Sequence, residues 1–245
     1  MPVIARVLSV GLLMVLCAVS EPARAQFRSA AVFGSYSSAV SKRLGVTEAR
    51  GWGGGLELRY ALTPEFGISL TGSYEYLAIE QADALDQWNW DFWIQRYRGI
   101  VQANLASDPN LSATLTPDVS MESLPVVLSA WYELEPLGGL TLRPYAGAGI
   151  YFYTKNLYLH EQWSKYFPDV DYTLTYDYRN FAPSKEGNPF LGVVGIDVTY
   201  RLTDLIECTG GVRYLQILGS EGSRGYDELP MENSLSVRLG IGFVY

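Results

Sequence analysis

From Leu235 to the carboxy terminus every second residue is apolar: Leu235, Val237, Leu239, Ile241, Phe243 and Tyr245. Between them stand Ser236, Arg238, Gly240, Gly242 and Val244. A period of two puts alternate side chains on opposite faces of an extended chain, so this segment reads as a strand with one greasy and one small or polar face. The chain as a whole is 48% hydrophobic. Yet beyond residue 25 no stretch reaches the roughly 18 consecutive apolar residues of a transmembrane helix. Hydrophobicity of that amount has to be spread by alternation, and alternation means strands.

The same period recurs upstream. Trp52, Gly54, Leu56, Leu58, Tyr60 and Leu62 share a face, as do Phe66, Ile68, Leu70, Gly72, Tyr74 and Tyr76. So do Leu124 to Leu134, Leu140 to Phe152, Phe190 to Leu202 and Ile206 to Leu218. A first strand near Phe27–Ser38, whose register the pattern leaves open, brings the expected count to eight, an even number that suits a closed antiparallel barrel. Short turns are predicted at 63–65, 135–139 and 203–205. Long connections are predicted at 39–51, 79–118, 155–188 and 219–233, on the opposite rim. Pro144 is expected to mark a bulge near a rim, because proline cannot donate to a ladder. Tyr60, Tyr132, Tyr200 and Tyr245 each sit at the short-turn end of a descending strand. Tyrosine keeps its ring in lipid and its hydroxyl in water, so these form half of an aromatic girdle.

Charge decides which face looks outward. The apolar faces carry no charge, and Gln216 is their only amide. A soluble barrel needs polar groups outside, so these faces are expected to meet lipid. The opposite faces hold Glu57, Glu75, Glu133, Asp197 and Glu207 with Arg59, Arg143, Arg201, Arg213 and Arg238. Inside an eight-stranded barrel, which its own side chains about fill, such charges persist only when paired. The expectation is a salt-bridged plug, not an open pore.

The first 25 residues read as a secretory leader: Arg6, then the apolar run Val7–Val19, then Ala23-Arg24-Ala25, with cleavage expected after Ala25. The remaining domain would be 26–245. Removing Arg6, Arg24 and Glu21 leaves 18 − 2 = 16 basic and 26 − 1 = 25 acidic residues, a net charge of −9. That argues against nucleic acid as a partner. Cys17 would leave with the leader, so Cys208 has no intramolecular partner.

The alternating carboxy-terminal strand, the girdle tyrosines, and the phrases Arg143-Pro144-Tyr145-Ala146-Gly147-Ala148-Gly149 and Tyr60-Ala61-Leu62-Thr63-Pro64 resemble the OmpA/OmpX/OmpW-like group of small outer-membrane barrels. The resemblance covers about 27–245 and is specific for architecture. It implies an all-β, eight-stranded antiparallel barrel in the bacterial outer membrane, with lipid around it. It also implies insertion by the barrel assembly machinery, for which Phe243 and Tyr245 complete a signal. The roles it implies are envelope structure or surface interaction, including host contact, or passage of small hydrophobic molecules as in the OmpW/OprG branch. The chain ends at Tyr245, so no peptidoglycan-binding domain is expected after the barrel.

Chemistry is sparse. The single histidine, His160, has Glu161 and Ser164 near it in sequence, but lone residues do not define a triad. Outer-leaflet lipid enzymology is therefore the remotest reading, and no enzyme activity is expected. Asp169, Asp171 and Asp177 lack the glycine and terminal glutamate of a calcium loop. No metal or cofactor is expected. The two long loops carry aromatics: Trp88, Trp90, Phe92 and Trp93 in one, Trp163 in the other. Leu85, Trp88, Phe92, Ile100 and Val101 fit a helix stripe, while Trp88, Trp90, Phe92 and Ile94 fit a strand face. These aromatics are expected either to cap the barrel or to form an interaction surface for a host partner or hydrophobic ligand.

Overall fold

A computed structural model of the chain describes residues 27–137 and 139–245. The leader, its cleavage site and Cys17 lie outside the described residues. The strands are β1 (Phe27–Lys42), β2 (Val46–Ala61), β3 (Phe66–Gln81), β4 (Leu111–Tyr132), β5 (Leu134–Leu137) and β6 (Leu140–Phe167). They continue with β7 (Tyr172–Phe181), β8 (Lys185–Gly187), β9 (Phe190–Arg201), β10 (Ile206–Leu218) and β11 (Met231–Val244). Antiparallel pairing runs β1–β2–β3–β4–β6–β9–β10–β11, and β11 returns to β1, closing a ring of eight strands. The seam runs from Ser29↔Val244 through Gly34↔Leu239 to Lys42↔Met231. Closure matters because lipid offers no hydrogen bonds to an open edge.

The alternation places side chains as read. Val32, Leu56, Leu128, Val194, Val212 and Leu239 are exposed on the outer wall, whereas Glu57, Arg59, Asp197 and Arg238 are buried inside. Tyr132, Tyr200 and Tyr245 lie exposed at one rim, with Tyr36, Trp52 and Phe152 toward the other. The short turns repeat a device at two places. At each, a threonine hydroxyl, Thr63 or Thr203, accepts from the backbone N–H three residues on, at 3.0 and 3.1 Å. Pro144 does not make a bulge. It pairs in register with Ile196, and β4 stops pairing with β6 at Trp131↔Tyr145, so no partner asks for the missing N–H.

The opposite rim is far more ordered than its sequence suggests. Residues 39–51 form no long loop: β1 runs to Lys42 and turns tightly through Leu44 (φ 55°) and Gly45 (φ 69°) into β2. Two successive left-handed residues match the twist of a hairpin. Within 79–118, β3 continues to Gln81, then α1 (Ala84–Gln87), a π-helical turn (Trp93–Tyr97) and α2 (Arg98–Ser107) precede β4. The segment is helical, not extended, but the expected stripe is not one face: Trp88 and Val101 are buried while Phe92 and Ile100 are exposed. Within 155–188, β6 simply continues to Phe167 and folds back as β7 and β8 on the same edge. β4 accompanies it up to Leu111↔Lys165. A three-stranded sheet, β4–β6–β7, thus rises from the barrel wall above the membrane.

Leu239 faces lipid at mid-strand and is 70% exposed. Leu239→Arg is expected to lower folding stability in lipid vesicles by about 2–4 kcal/mol, the cost of a charge at that depth. Leu239→Phe should leave it nearly unchanged. Urea titration of vesicle-inserted protein measures both.

Candidate functional site

At membrane level the interior is a connected charge network. Arg59 donates from Nε to Glu57 Oε1 at 2.8 Å and from Nη1 to Glu207 Oε1 at 2.6 Å, and its Nη2 lies 3.8 Å from Asp197 Oδ2. Arg238 reaches Glu57 Oε2 at 3.1 Å, donates to both oxygens of Asp197, and lies over the ring of Tyr145 at 4.9 Å. Gly211 leaves room for this: a Cβ there would collide with Asp197 Oδ1. Toward the short-turn rim, Arg143 donates to Glu133 at 3.1 Å and to the Thr199 hydroxyl at 3.4 Å. Toward the other end, Arg213 pairs with Glu75 and donates to Ser236 Oγ at 3.2 Å. These groups are desolvated together, so pairing and hydrogen bonding must offset a large penalty.

One predicted member does not join. Arg201 is exposed at the rim and makes no ion pair among the described residues. Arg28 takes the place beside Glu133, with Nη2 3.1 Å from Oε2. Sequence reasoning misses Arg28 because the first strand's register cannot be read from its residues. Ser29 is buried on the inner face, so strict alternation would turn Arg28 outward; the register irregularity between Phe27 and Ser29 on the β2 side accompanies its turn toward Glu133.

Above this network the interior turns apolar. Leu77, Ile79, Val119, Met121, Leu157, Leu159, Leu191, Leu215 and Ile217 form one buried cluster, closed from above by Trp88, Trp90 and Trp93. Trp88, Trp90, Trp93 and Trp163 are 3%, 7%, 5% and 5% exposed, so they are not available as a contact surface; only Phe92, at 41%, is outside. The reason is solvent. Beyond the bilayer the outer wall meets water, so large apolar rings gain by turning inward. Lys155 is buried beneath this lid with its Nζ 5.0 Å from the Trp88 ring centre. Lys185 approaches the same ring at 5.3 Å and is bridged to Glu228. Glu161, fully buried, accepts from Tyr97 Oη and Trp163 Nε1, each at 2.8 Å, and from Asn180 Nδ2. Burial, and then Glu161, push the Tyr97 hydroxyl up to about 12. Lys155 and Glu161 escape a sequence reading because they fall in the stretch that reads as loop.

Among the described residues no hydrolytic arrangement forms around His160. Its Nε2 lies 3.7 Å from Asp177 Oδ1 on the outer face of β6, while Glu161 is buried on the opposite face. Asp171 accepts from Tyr166 Oη at 3.0 Å. Among the described residues no group of histidine, cysteine and carboxylate side chains could hold a metal ion.

Two measurements test these layers. Arg59→Met leaves the buried Glu207 without an ion-pair partner and takes one of two from Glu57 and Asp197, and is expected to cost about 3–5 kcal/mol, whereas Arg201→Met should stay within about 0.5 kcal/mol; urea midpoints separate them. Burial, with Lys185 second, lowers Lys155 from 10.5 to about 8. Between those two values the unfolded chain holds a proton that the folded one lacks, so stability rises with pH across that window. Proteolysis within 82–110 should therefore slow as pH rises from 7 to 9.5, and Lys155→Met should abolish the dependence.

No curated protein matches the chain in sequence. Among solved structures, Neisserial surface protein A is similar at 14% identity, with 89% of this chain and 96% of that one covered and a TM-score of 0.45. Ail of Yersinia pestis, solved with the heparin analogue sucrose octasulfate, is 10% identical, with 90% and 99% covered and a TM-score of 0.45. A major outer membrane protein of Thermus thermophilus is 13% identical, with 88% and 99% covered and a TM-score of 0.44. The family model described as the outer membrane protein beta-barrel domain matches residues 9–243. With the closed ring, the lipid-facing wall and this match over nearly its whole length, the chain belongs to the outer membrane protein β-barrel domain family and is an integral outer-membrane β-barrel.

Proposed function

We propose that the protein is a closed, non-enzymatic barrel that acts at the cell surface through the β4–β6–β7 sheet. The supporting observation is the double seal of its lumen. At the charge network, the space beside Glu57, Arg59 and Arg238 is a cavity of about 10 Å³, on the scale of one water. Above it lies the apolar plug under Trp88, Trp90 and Trp93. A hydrophobic molecule passing along the axis would have to disrupt both. A larger recess of about 380 Å³ opens where β3 and β4 diverge, but it is lined by Glu80, Asp118 and Gln81 along with apolar residues, which disfavours an apolar guest.

What the molecule offers outward is the sheet. Its outer face presents Thr114 and Thr116 of β4, His160 and Gln162 of β6, and Asp177 and Arg179 of β7, cross-strand neighbours in one register. A partner of the chain reads this surface, lipid surrounds the barrel, and the assembly machinery reads the terminus at Phe243 and Tyr245. Tyr245 packs on Phe27 across the seam with ring centres 5.2 Å apart.

Replacing Leu159–Asn180 by Asn-Gly joins Tyr158 to Phe181, which already face each other across the ladder. The variant should remain heat-modifiable in detergent gels, since the ring below is untouched. Binding of bacteria that display it to host cells and matrix should be lost. Undiminished binding by the shortened protein would overturn the reading.

A further inference from the structure

β7 is hydrogen-bonded on one side only. Its ladder to β6 runs from Tyr158↔Phe181 to Phe167↔Tyr172, and among the described residues no other backbone bond reaches Tyr172–Phe181. The strand Tyr-Thr-Leu-Thr-Tyr-Asp-Tyr-Arg-Asn-Phe therefore presents an open edge to water, with Asp177, Tyr178 and Arg179 all exposed. An open edge is a template for another strand.

The edge carries its own complement. Asp177 and Arg179 lie two apart and so on one face of β7. Suppose two copies of β7 pair antiparallel, so that Tyr178 faces Tyr178 of the other copy. Asp177 then stands opposite Arg179 of the second copy, and Arg179 opposite its Asp177. Sliding by two residues either way sets Asp177 against Asp177 or Arg179 against Arg179, and like charges directly opposite are destabilising. For β7 against a second β7, charge thus selects one register. Thr175 would face Phe181, and Tyr176 would face Asn180.

The same geometry dictates where the second copy sits. β4 and β6 run unbroken from the barrel wall into the sheet, so the sheet's normal lies in the membrane plane. The two-fold axis of an antiparallel edge pair is perpendicular to the sheet. A rotation about an axis in the membrane plane turns the molecule upside down, and the second copy belongs to an apposed membrane. We propose that β7 is a homotypic tether, joining two outer membranes by edge-to-edge pairing centred on Tyr178. Each contact is small, and many copies facing many copies supply the strength. The proposal adds a second copy of the chain as one partner of the surface in the reading above and rests on that reading.

The test uses the full barrel reconstituted in phosphatidylcholine vesicles, with clustering followed by light scattering. Wild-type vesicles should cluster and protein-free vesicles should not. Asp177→Arg vesicles and Arg179→Asp vesicles should each stay dispersed alone. Mixed together they should cluster, because the arginine introduced in the first variant then meets the aspartate introduced in the second. Heat-modifiability of each variant shows that its barrel is folded. Dispersed wild-type vesicles would overturn the proposal, as would clustering of either variant alone at the wild-type level, or no recovery on mixing. If vesicles stay apart while excision of Leu159–Asn180 still abolishes binding to host cells, the homotypic partner is wrong and the surface reading stands.

Discussion

In hydrocarbon a peptide N–H or C=O finds no water, so every one must be bonded within the chain. The seam between β1 and β11 meets that demand for the whole molecule, because without it both strands would expose an edge to lipid. The rest follows in order. Eight tilted strands enclose a narrow interior, so the interior must be filled by side chains. Those side chains are charged at membrane level, so they must be matched one against another, as Arg59 and Arg238 are with Glu57, Asp197 and Glu207.

A second constraint acts along the axis. Within the bilayer the even-numbered residues of β6, from Leu140 to Phe152, are apolar and face lipid. Above it the odd-numbered Leu157, Leu159 and Trp163 are apolar and face inward, while Asn156, His160 and Gln162 face out. β3 and β4 change in the same way at Leu77 and Met121. One cylinder is inside-out in lipid and ordinary in water, and Trp88, Trp90, Trp93 and Trp163 belong to the ordinary half.

This reversal also explains how much of the molecule was legible. The lipid-facing strands read directly, since a period of two survives in residues such as Leu235 to Tyr245 whatever the rest of the fold does. The pairing of Glu57, Arg59, Glu133, Arg143, Asp197 and Arg238 was legible because buried charge has few other outcomes. What failed was reading past Phe152. There the alternation persists but changes sign, and a search for apolar outer faces takes strand for loop. Trp88 and Trp93 could be read as a cap or as a display surface, and their burial decides for the cap; the pattern alone left the choice open because whether rings are shown or hidden depends on a roof whose walls it conceals. Arg28 escaped because its inward turn comes at an irregularity beside Ser29 that alternation does not announce, and Arg201 missed because it ends β9, beyond the last buried position at Thr199.

β6 spans 28 residues from Leu140 to Phe167 without a break, flanked in turn by β4, β9, β8 and β7. Its consequence is mechanical. A pull on the outer hairpin along its strands loads the cross-strand bonds side by side, in shear, and does not unzip them from one end. The load passes down a single continuous peptide into the β4 and β9 ladders and is taken up by a ring with no free end in the bilayer. Such a mast yields only when many bonds give way together, so the slender part of the molecule furthest from the membrane is anchored as firmly as the barrel itself.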